Sequence, residues 1–253
     1  MKHFFTLLKY ELYRWVVSPS TYAMALIFES LLVTIFLFLL HEYTVSEQTV
    51  PFVQMFFRCF WLPTCITIPL LTMRTFSEEY KTGTYESLFS LPISAWQASC
   101  AKNFATYIVF IVLWATSLLM LFAVGKQQGT IWHEASFMMP YNLSGGLTFI
   151  MLISMPLIAI GILCSALTEN QIVSGMLTFF FLLIIFICGQ LLVTNTKSSN
   201  ANILQLSSEP LNLFWQLDHF CNGVIDIPTV IFYVSSCIAI NAITAIVLRH
   251  HVK

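Results

Sequence analysis

The sequence predicts an all-α polytopic membrane protein with six transmembrane helices and an amphipathic interfacial helix at the N-terminus. Hydrophobic residues make up 58% of its 253 residues, charged residues only 9%, and the mean hydropathy is +0.81. A soluble domain has roughly 45–50% apolar and about 25% charged residues. One core cannot bury such an apolar excess. The composition also excludes a disordered chain, a nucleic-acid-binding domain and a disulfide-stabilised secreted domain.

Six stretches with few charges are long enough to cross a bilayer as helices. Helices are expected because every backbone polar group must be hydrogen-bonded inside lipid. Pro63, Pro69 and Pro156 lie within these stretches and are expected to kink them. The predicted spans are Tyr22–Leu40, Phe52–Met73, Phe104–Val124, Leu143–Leu167, Ile172–Val193 and Thr229–Leu248.

The basic residues predict that both termini face the cytoplasm. In that orientation eight of the eleven Lys and Arg residues lie inside, two lie outside, and Arg58 lies within a span. This distribution follows the enrichment of Lys and Arg in cytoplasmic loops.

Residues 2–17 are predicted to form an amphipathic helix that lies along the cytoplasmic leaflet. Ser18-Pro19-Ser20 then turns the chain into the first span. On a helical wheel the apolar side chains share one arc, and most polar side chains lie opposite. The apolar arc consists of Phe4, Phe5, Leu8, Leu12, Trp15 and Val16.

Motifs for catalysis and metal binding are absent from the sequence. It contains no GxxxxGK[ST], HExxH or GxSxG pattern, and its seven cysteines never form CxxC. We therefore expect neither enzymatic activity, nor a metal site, nor a cofactor of its own.

Two charged residues lie inside predicted spans, where burial of a charge is costly. Glu29 lies in the first span and Arg58 in the second. Because consecutive spans are antiparallel and both residues fall near the middle of the bilayer, we expect either an ion pair between them or a pairing of each with a second subunit. A packing role and a role in a translocation path both remain open.

The inner segment 74–103 is the most structured polar stretch of the sequence. The second span is expected to continue through Glu78 and Glu79 until Gly83 ends the helix. A short helix then follows, and Pro92 ends it. Ser94 and Gln97 have the spacing of a capping box, which predicts the start of the next helix. The segment is either a docking element for a cytosolic partner or a solvated loop.

The outer segment 194–228 begins with polar residues and becomes apolar again near Leu211–Phe220. This apolar part is too short to span, and we expect it to re-enter the outer leaflet as a hairpin. His219, Phe220 and Asp226 lie near its end.

The inner segment resembles a known family. LTMRTFSEE at 71–79, KTGTYESL at 81–88 and LPIS at 91–94 resemble the characteristic pattern of ABC-2 type permeases. LTENQIV at 167–173 is similar to the family's turn between spans four and five. HF at 219–220 with GVID at 223–226 is similar to its segment before the last span, although Asn222 stands where the family often has a basic residue. The similarity is greatest to the gliding-motility type (GldF-like) and nitrous-oxide-reductase-maturation branch.

This resemblance implies that the whole chain, 1–253, is one transmembrane permease domain of an ATP-binding-cassette transporter in the bacterial inner membrane. The implied partners are a dimer of cassette ATPase subunits, a second permease copy or a related permease, membrane lipid, and an additional membrane or periplasmic accessory subunit. ATP and magnesium would be held by the ATPase. The implied function is export of an unidentified, lipid-linked or amphipathic substrate.

The resemblance also implies two sets of site residues. A coupling helix would contact the ATPase, with acidic side chains meeting basic groups and apolar ones filling a groove. Its residues would be Glu78, Glu79, Gly83, Thr84, Glu86, Leu88, Phe89 and Pro92. An outer gate would contain His219, Phe220 and Asp226. Two other functions stay open: a membrane scaffold in an assembly or maturation complex, and an ion-coupled secondary transporter.

Overall fold

The computed structural model describes residues 2–45, 51–83, 94–127, 140–196 and 212–251. Within them every regular element is a helix, which confirms the all-α membrane fold. The helices are α1 (Lys2–Val17), α2 (Pro19–Val45), α3 (Phe52–Arg58), α4 (Trp61–Thr72), α5 (Ser77–Thr82), α6 (Ala95–Gln127), α7 (Pro140–Leu167), α8 (Gln171–Thr196), α9 (Leu213–Cys221) and α10 (Ile227–His251). The predicted residues Thr84, Glu86, Leu88, Phe89 and Pro92 lie outside the described residues.

Five of the described helices, α2, α6, α7, α8 and α10, are long and apolar enough to cross a membrane. The predicted second span is broken: α3 and the following helical segment are bent by 42°. Pro63 lies in the first turn of α4 and has no N–H to donate to the carbonyl of Cys59. The N–H of Leu62 donates to that carbonyl instead, at 3.3 Å. α4 and α7 continue through Pro69 and Pro156 without interruption.

α7 is the central helix and packs against α4, α6, α8, α9 and α10. Its apolar window is 61% buried, whereas only 22% of the α10 window is buried. Buried aromatic rings fill the centre in edge-on or tilted contacts, with Phe149 next to Phe60, Phe220 and Tyr233. α10 therefore forms part of the outer wall of the bundle.

Glycines allow the closest helix approaches, as expected where packing rather than water exclusion holds helices together. An ideal Cβ on Gly145 would lie 1.8 Å from the Phe220 carbonyl oxygen. A Cβ on Gly161 would lie 2.3 Å from the Thr72 hydroxyl. α7 thus touches α9 and α4 at positions that tolerate no side chain.

α1 is a helix as predicted, but it docks by a different face. Leu7 and Glu11 are its most buried side chains, and they lie against α6, where Ala98 and Ala101 leave room for close packing. Phe5 and Val16 of the predicted apolar arc are 64% exposed in the protein. The difference arises because one face of α1 packs against α6, while the face that carries Phe5 and Val16 is not covered by the other described helices.

Candidate functional site

Helices α1, α5 and α6 meet in a cluster of five charged side chains, which we call the charged junction: Glu11, Arg14, Glu78, Glu79 and Lys102. Lys102 is at its centre and only 1% of it is exposed. Its ammonium donates to Glu79 Oε1 at 2.5 Å and to the Thr75 carbonyl at 2.6 Å. It also lies 3.2 Å from Glu11 Oε1. A buried cation of this kind requires such partners, since an unpaired buried charge is strongly destabilising.

Arg14 lies at the exposed edge of the charged junction and connects α1 to α5 there. Its guanidinium donates to Glu78 Oε2 at 2.8 Å and lies 3.9 Å from Glu79 and 3.8 Å from Glu11. Arg14 and Glu78 are about one-third exposed, so this pair contributes less than the Lys102 contacts. The charged junction therefore has a buried centre and a solvated edge.

α5 is also attached to α7. The Ser165 hydroxyl accepts hydrogen bonds from the backbone N–H groups of Phe76 and Ser77, at 3.0 and 3.1 Å. α5 then ends at Gly83, whose φ of 69° is the left-handed conformation that favours glycine. The chain continues beyond this point into residues 84–93, and it returns at Ser94.

The predicted capping box at the start of α6 is confirmed. The Ser94 hydroxyl accepts from the backbone N–H of Gln97, and the side-chain oxygen Oε1 of Gln97 accepts from the backbone N–H of Ser94, both at 3.3 Å. Residues 84–93 are thus flanked on both sides by ordered helix ends. Of the predicted coupling residues, the structure describes Glu78, Glu79 and Gly83.

The expected ion pair between Glu29 and Arg58 is wrong. Arg58 lies at the bend between α3 and α4 and pairs with Asp218 of α9, with Nε and Nη2 donating at 2.9 and 2.7 Å. Gln54 also donates to Asp218, at 2.9 Å. Glu29 instead accepts a hydrogen bond from the Thr116 hydroxyl of α6. Each of the two charged residues therefore has its partner on a helix farther along the chain than the adjacent span: Asp218 for Arg58 and Thr116 for Glu29.

The three residues predicted as an outer gate do not form one contact cluster. Phe220 is fully buried against Phe149, and the His219 ring lies on Trp215 with centroids 3.8 Å apart. Asp226 lies beyond the Gly223 turn, where its backbone carbonyl accepts from Val230. Asp218 attaches α9 to α3, and Gln216 accepts a hydrogen bond from the Tyr233 hydroxyl of α10.

We expect Arg58→Gln to loosen α9 and expose Cys221. Cys221 is fully buried, and its burial, with Asp218 acting in the same direction, raises the pKa of its thiol to about 12. At pH 8 almost no reactive thiolate is present in the wild type. Exposure would return the pKa toward about 8.5 and increase labelling strongly.

The measurement is the rate of N-ethylmaleimide labelling of Cys221 at pH 8, followed by peptide mass spectrometry. Arg249→Gln, a change of an exposed arginine on α10, is the matched control and should label like the wild type. Equal rates for the wild type and Arg58→Gln would show that this ion pair does not hold α9 in place.

Four charged site residues were not predicted from the sequence: Glu11, Arg14, Lys102 and Asp218. No partner was expected for Glu11, Arg14 or Lys102, which lie in segments predicted to be on the cytoplasmic side. One signal was present, because Lys102 follows Ala98 and Ala101, small residues that mark a close helix contact. For Asp218, 160 residues from Arg58, the local sequence offers no comparable signal.

A comparison with protein-family models gives one finding for this chain. The model described as ABC-2 family transporter protein matches residues 50–218, which include α3 to α8, the first part of α9 and three residues of the charged junction, Glu78, Glu79 and Lys102. No curated protein matches the chain.

Proposed function

Since the chain belongs to the ABC-2 family of transporter proteins, we propose that its charged junction transmits the movement of an ATPase subunit into the membrane helices. The chain is a multi-pass membrane permease of an ATP-binding-cassette transporter, and the family implies pairing with an ATPase subunit. ATP and magnesium are assigned to that partner.

The observation that carries this proposal is the position of Lys102. Its ammonium contacts α5 through Glu79 and Thr75, and α1 through Glu11. α5 leads into residues 84–93 and α6 leads out of them, so one buried side chain joins both flanks of that segment. A force applied to residues 84–93 would therefore move α5, α6 and α1 together.

The mechanism follows from this connection. ATP binding closes the ATPase dimer and displaces residues 84–93, which we assign to the coupling helix. α5 passes the displacement to α4, and Lys102 passes it to α6. Glu79 is 12% exposed and held by Lys102, so we assign it a positioning role. Contact with the ATPase is assigned to Glu86, Leu88 and Phe89.

We further propose export of a lipid-linked or amphipathic substrate, by a transporter of the gliding-motility or nitrous-oxide-reductase-maturation branch in the bacterial inner membrane. The support from this chain is an apolar cavity of about 380 Å³ between α7, α8, α9 and α10. Ile153, Leu157, Ile185 and Phe232 are among its lining residues. A second copy of the chain or a related permease would complete the transporter, with an accessory subunit as a further partner.

The test is purification of the tagged chain from its native membrane in mild detergent. We expect a cassette ATPase at two copies for two permease copies, and an ATPase activity that depends on the permease. Recovery of other membrane proteins without an ATPase would favour the scaffold function instead.

We expect Gly83→Ala to weaken coupling, whereas Gly83→Asn should retain it. No atom of the described residues lies within 4 Å of a Cβ at this position, so the penalty is the left-handed conformation itself, about 1–2 kcal/mol for alanine. Asparagine adopts this conformation more readily. The measurement is permease-stimulated ATP hydrolysis in proteoliposomes. A loss with both substitutions would point to a side-chain clash with the partner rather than to backbone conformation.

A further inference from the structure

We propose that the groove between α6 and α10 binds an uncharged membrane lipid that carries a hydroxyl group. The groove has a volume of about 270 Å³ and is separate from the charged junction. Its walls are mostly apolar, and Phe104, Val234 and Ile238 at its edge are 40–55% exposed in the protein. Since α6 and α10 are long and apolar enough to cross a membrane, we place this exposed edge against lipid.

Two asparagines line the groove, Asn103 and Asn241. In Asn241 both the oxygen and the nitrogen of the side-chain amide are hydrogen-bonded. Asn241 accepts from the Ser99 hydroxyl at 2.9 Å and donates to the Cys237 carbonyl at 2.9 Å. Tyr107, another lining residue, donates to the Met151 carbonyl at 3.0 Å. These groups need no further partner.

Asn103 differs from them. Only 5% of its surface is exposed, yet its one contact within the described residues is a weak one, from its amide nitrogen to Cys237 Sγ at 3.8 Å. Its carbonyl oxygen accepts no hydrogen bond from the described residues. A carbonyl oxygen without a hydrogen-bond donor in a membrane interior costs free energy, because no water is present to supply one. The oxygen of Asn103 is therefore an open acceptor inside an apolar groove.

The position of Asn103 indicates the leaflet from which the lipid enters, and the groove around it indicates that the lipid is uncharged. It is adjacent in sequence to Lys102, so it lies at the level of the charged junction, the end of the bundle that the positive-inside rule assigns to the cytoplasm. A lipid entering the groove from that leaflet would place its hydroxyl at Asn103 and an acyl chain along the apolar edge. Charged groups within the described residues line the neighbouring junction but not this groove, which favours an uncharged lipid.

The test uses the purified full-length chain in nanodiscs and a diacylglycerol with a photoreactive diazirine in one acyl chain. Mass spectrometry should find the label on peptides containing Cys100–Tyr107 and Val234–Asn241. Unlabelled diacylglycerol should compete, whereas triacylglycerol, which has no hydroxyl, should not. Equal competition by triacylglycerol would overturn the proposal, because the groove would then select only apolar bulk.

Asn103→Leu should lower the labelling about fivefold, as expected for the loss of one buried hydrogen bond. Asn142→Leu is the matched control, since Asn142 is also buried and its amide also lacks a hydrogen-bond partner among the described residues, but it lies on α7 outside this groove. Unchanged labelling in Asn103→Leu, or an equal decrease in Asn142→Leu, would contradict the assignment. The lipid competition on the unmodified protein remains decisive if a variant does not fold.

Discussion

Lys102→Met should be among the most damaging single substitutions in this protein. It removes the closest counter-ion of Glu79 and Glu11, whose side chains are 12% and 6% exposed, and leaves them only the longer contacts with Arg14 at 3.9 and 3.8 Å. Loss of one partner from a buried ion pair costs about 3–5 kcal/mol. Because the same side chain joins α5 to α6, permease-stimulated ATP hydrolysis should fall together with thermal stability.

The matched control for this experiment is Lys81→Met, which removes an exposed lysine one helical turn from the same junction. It should change thermal stability by less than about 0.5 kcal/mol. Glu11→Gln and Glu79→Gln added to Lys102→Met should recover part of the stability, because they remove the two buried carboxylates that have lost their closest counter-ion. If the triple variant is no more stable than Lys102→Met, the loss comes from packing of the lysine stem and not from charge.

The triple variant also separates stability from coupling. It lacks the Lys102 contact that joins α5 to α6, so it should fold better than Lys102→Met and still fail to stimulate ATP hydrolysis. Full stimulation in the triple variant would show that the Lys102 contacts stabilise the fold without transmitting movement.

Gly145→Ala is expected to displace α9 from the bundle. The added Cβ would lie 1.8 Å from the backbone oxygen of Phe220, and backbone atoms cannot move aside as a flexible side chain can. Overpacking of this kind typically costs about 1–3 kcal/mol. The displacement should also strain the Arg58–Asp218 ion pair. We therefore expect faster maleimide labelling of Cys221 and a lower melting temperature.

Gly175→Ala provides the control on another helix. Its Cβ would lie 3.5 Å from the Met73 sulfur, an ordinary van der Waals contact. Alanine is also the better helix former, so this variant should be neutral or slightly stabilising. Similar behaviour of the two alanine variants would mean that α9 does not depend on its close approach to α7.

The sequence predicted the parts of this fold that follow from local chemistry. Long apolar runs marked the membrane helices, Gly83 marked the end of α5, and the Ser94–Gln97 spacing marked the start of α6. It did not predict which charges would meet. No partner was predicted for Glu11, although it is buried against α6 and pairs with Lys102. Arg58 was expected to pair with Glu29 in the adjacent span, whereas its partner Asp218 lies on α9. Such pairings depend on tertiary contacts that no local pattern encodes.

The order of the charged residues along the chain has a consequence for biosynthesis. Glu11 and Glu79 both precede Lys102, the latter by 23 residues. At translation rates of about 5–20 residues per second, both carboxylates leave the ribosome at least about a second before the lysine. When α6 is inserted, its buried cation therefore meets counter-ions that are already in place. A chain with α1 removed would insert this lysine with one carboxylate missing.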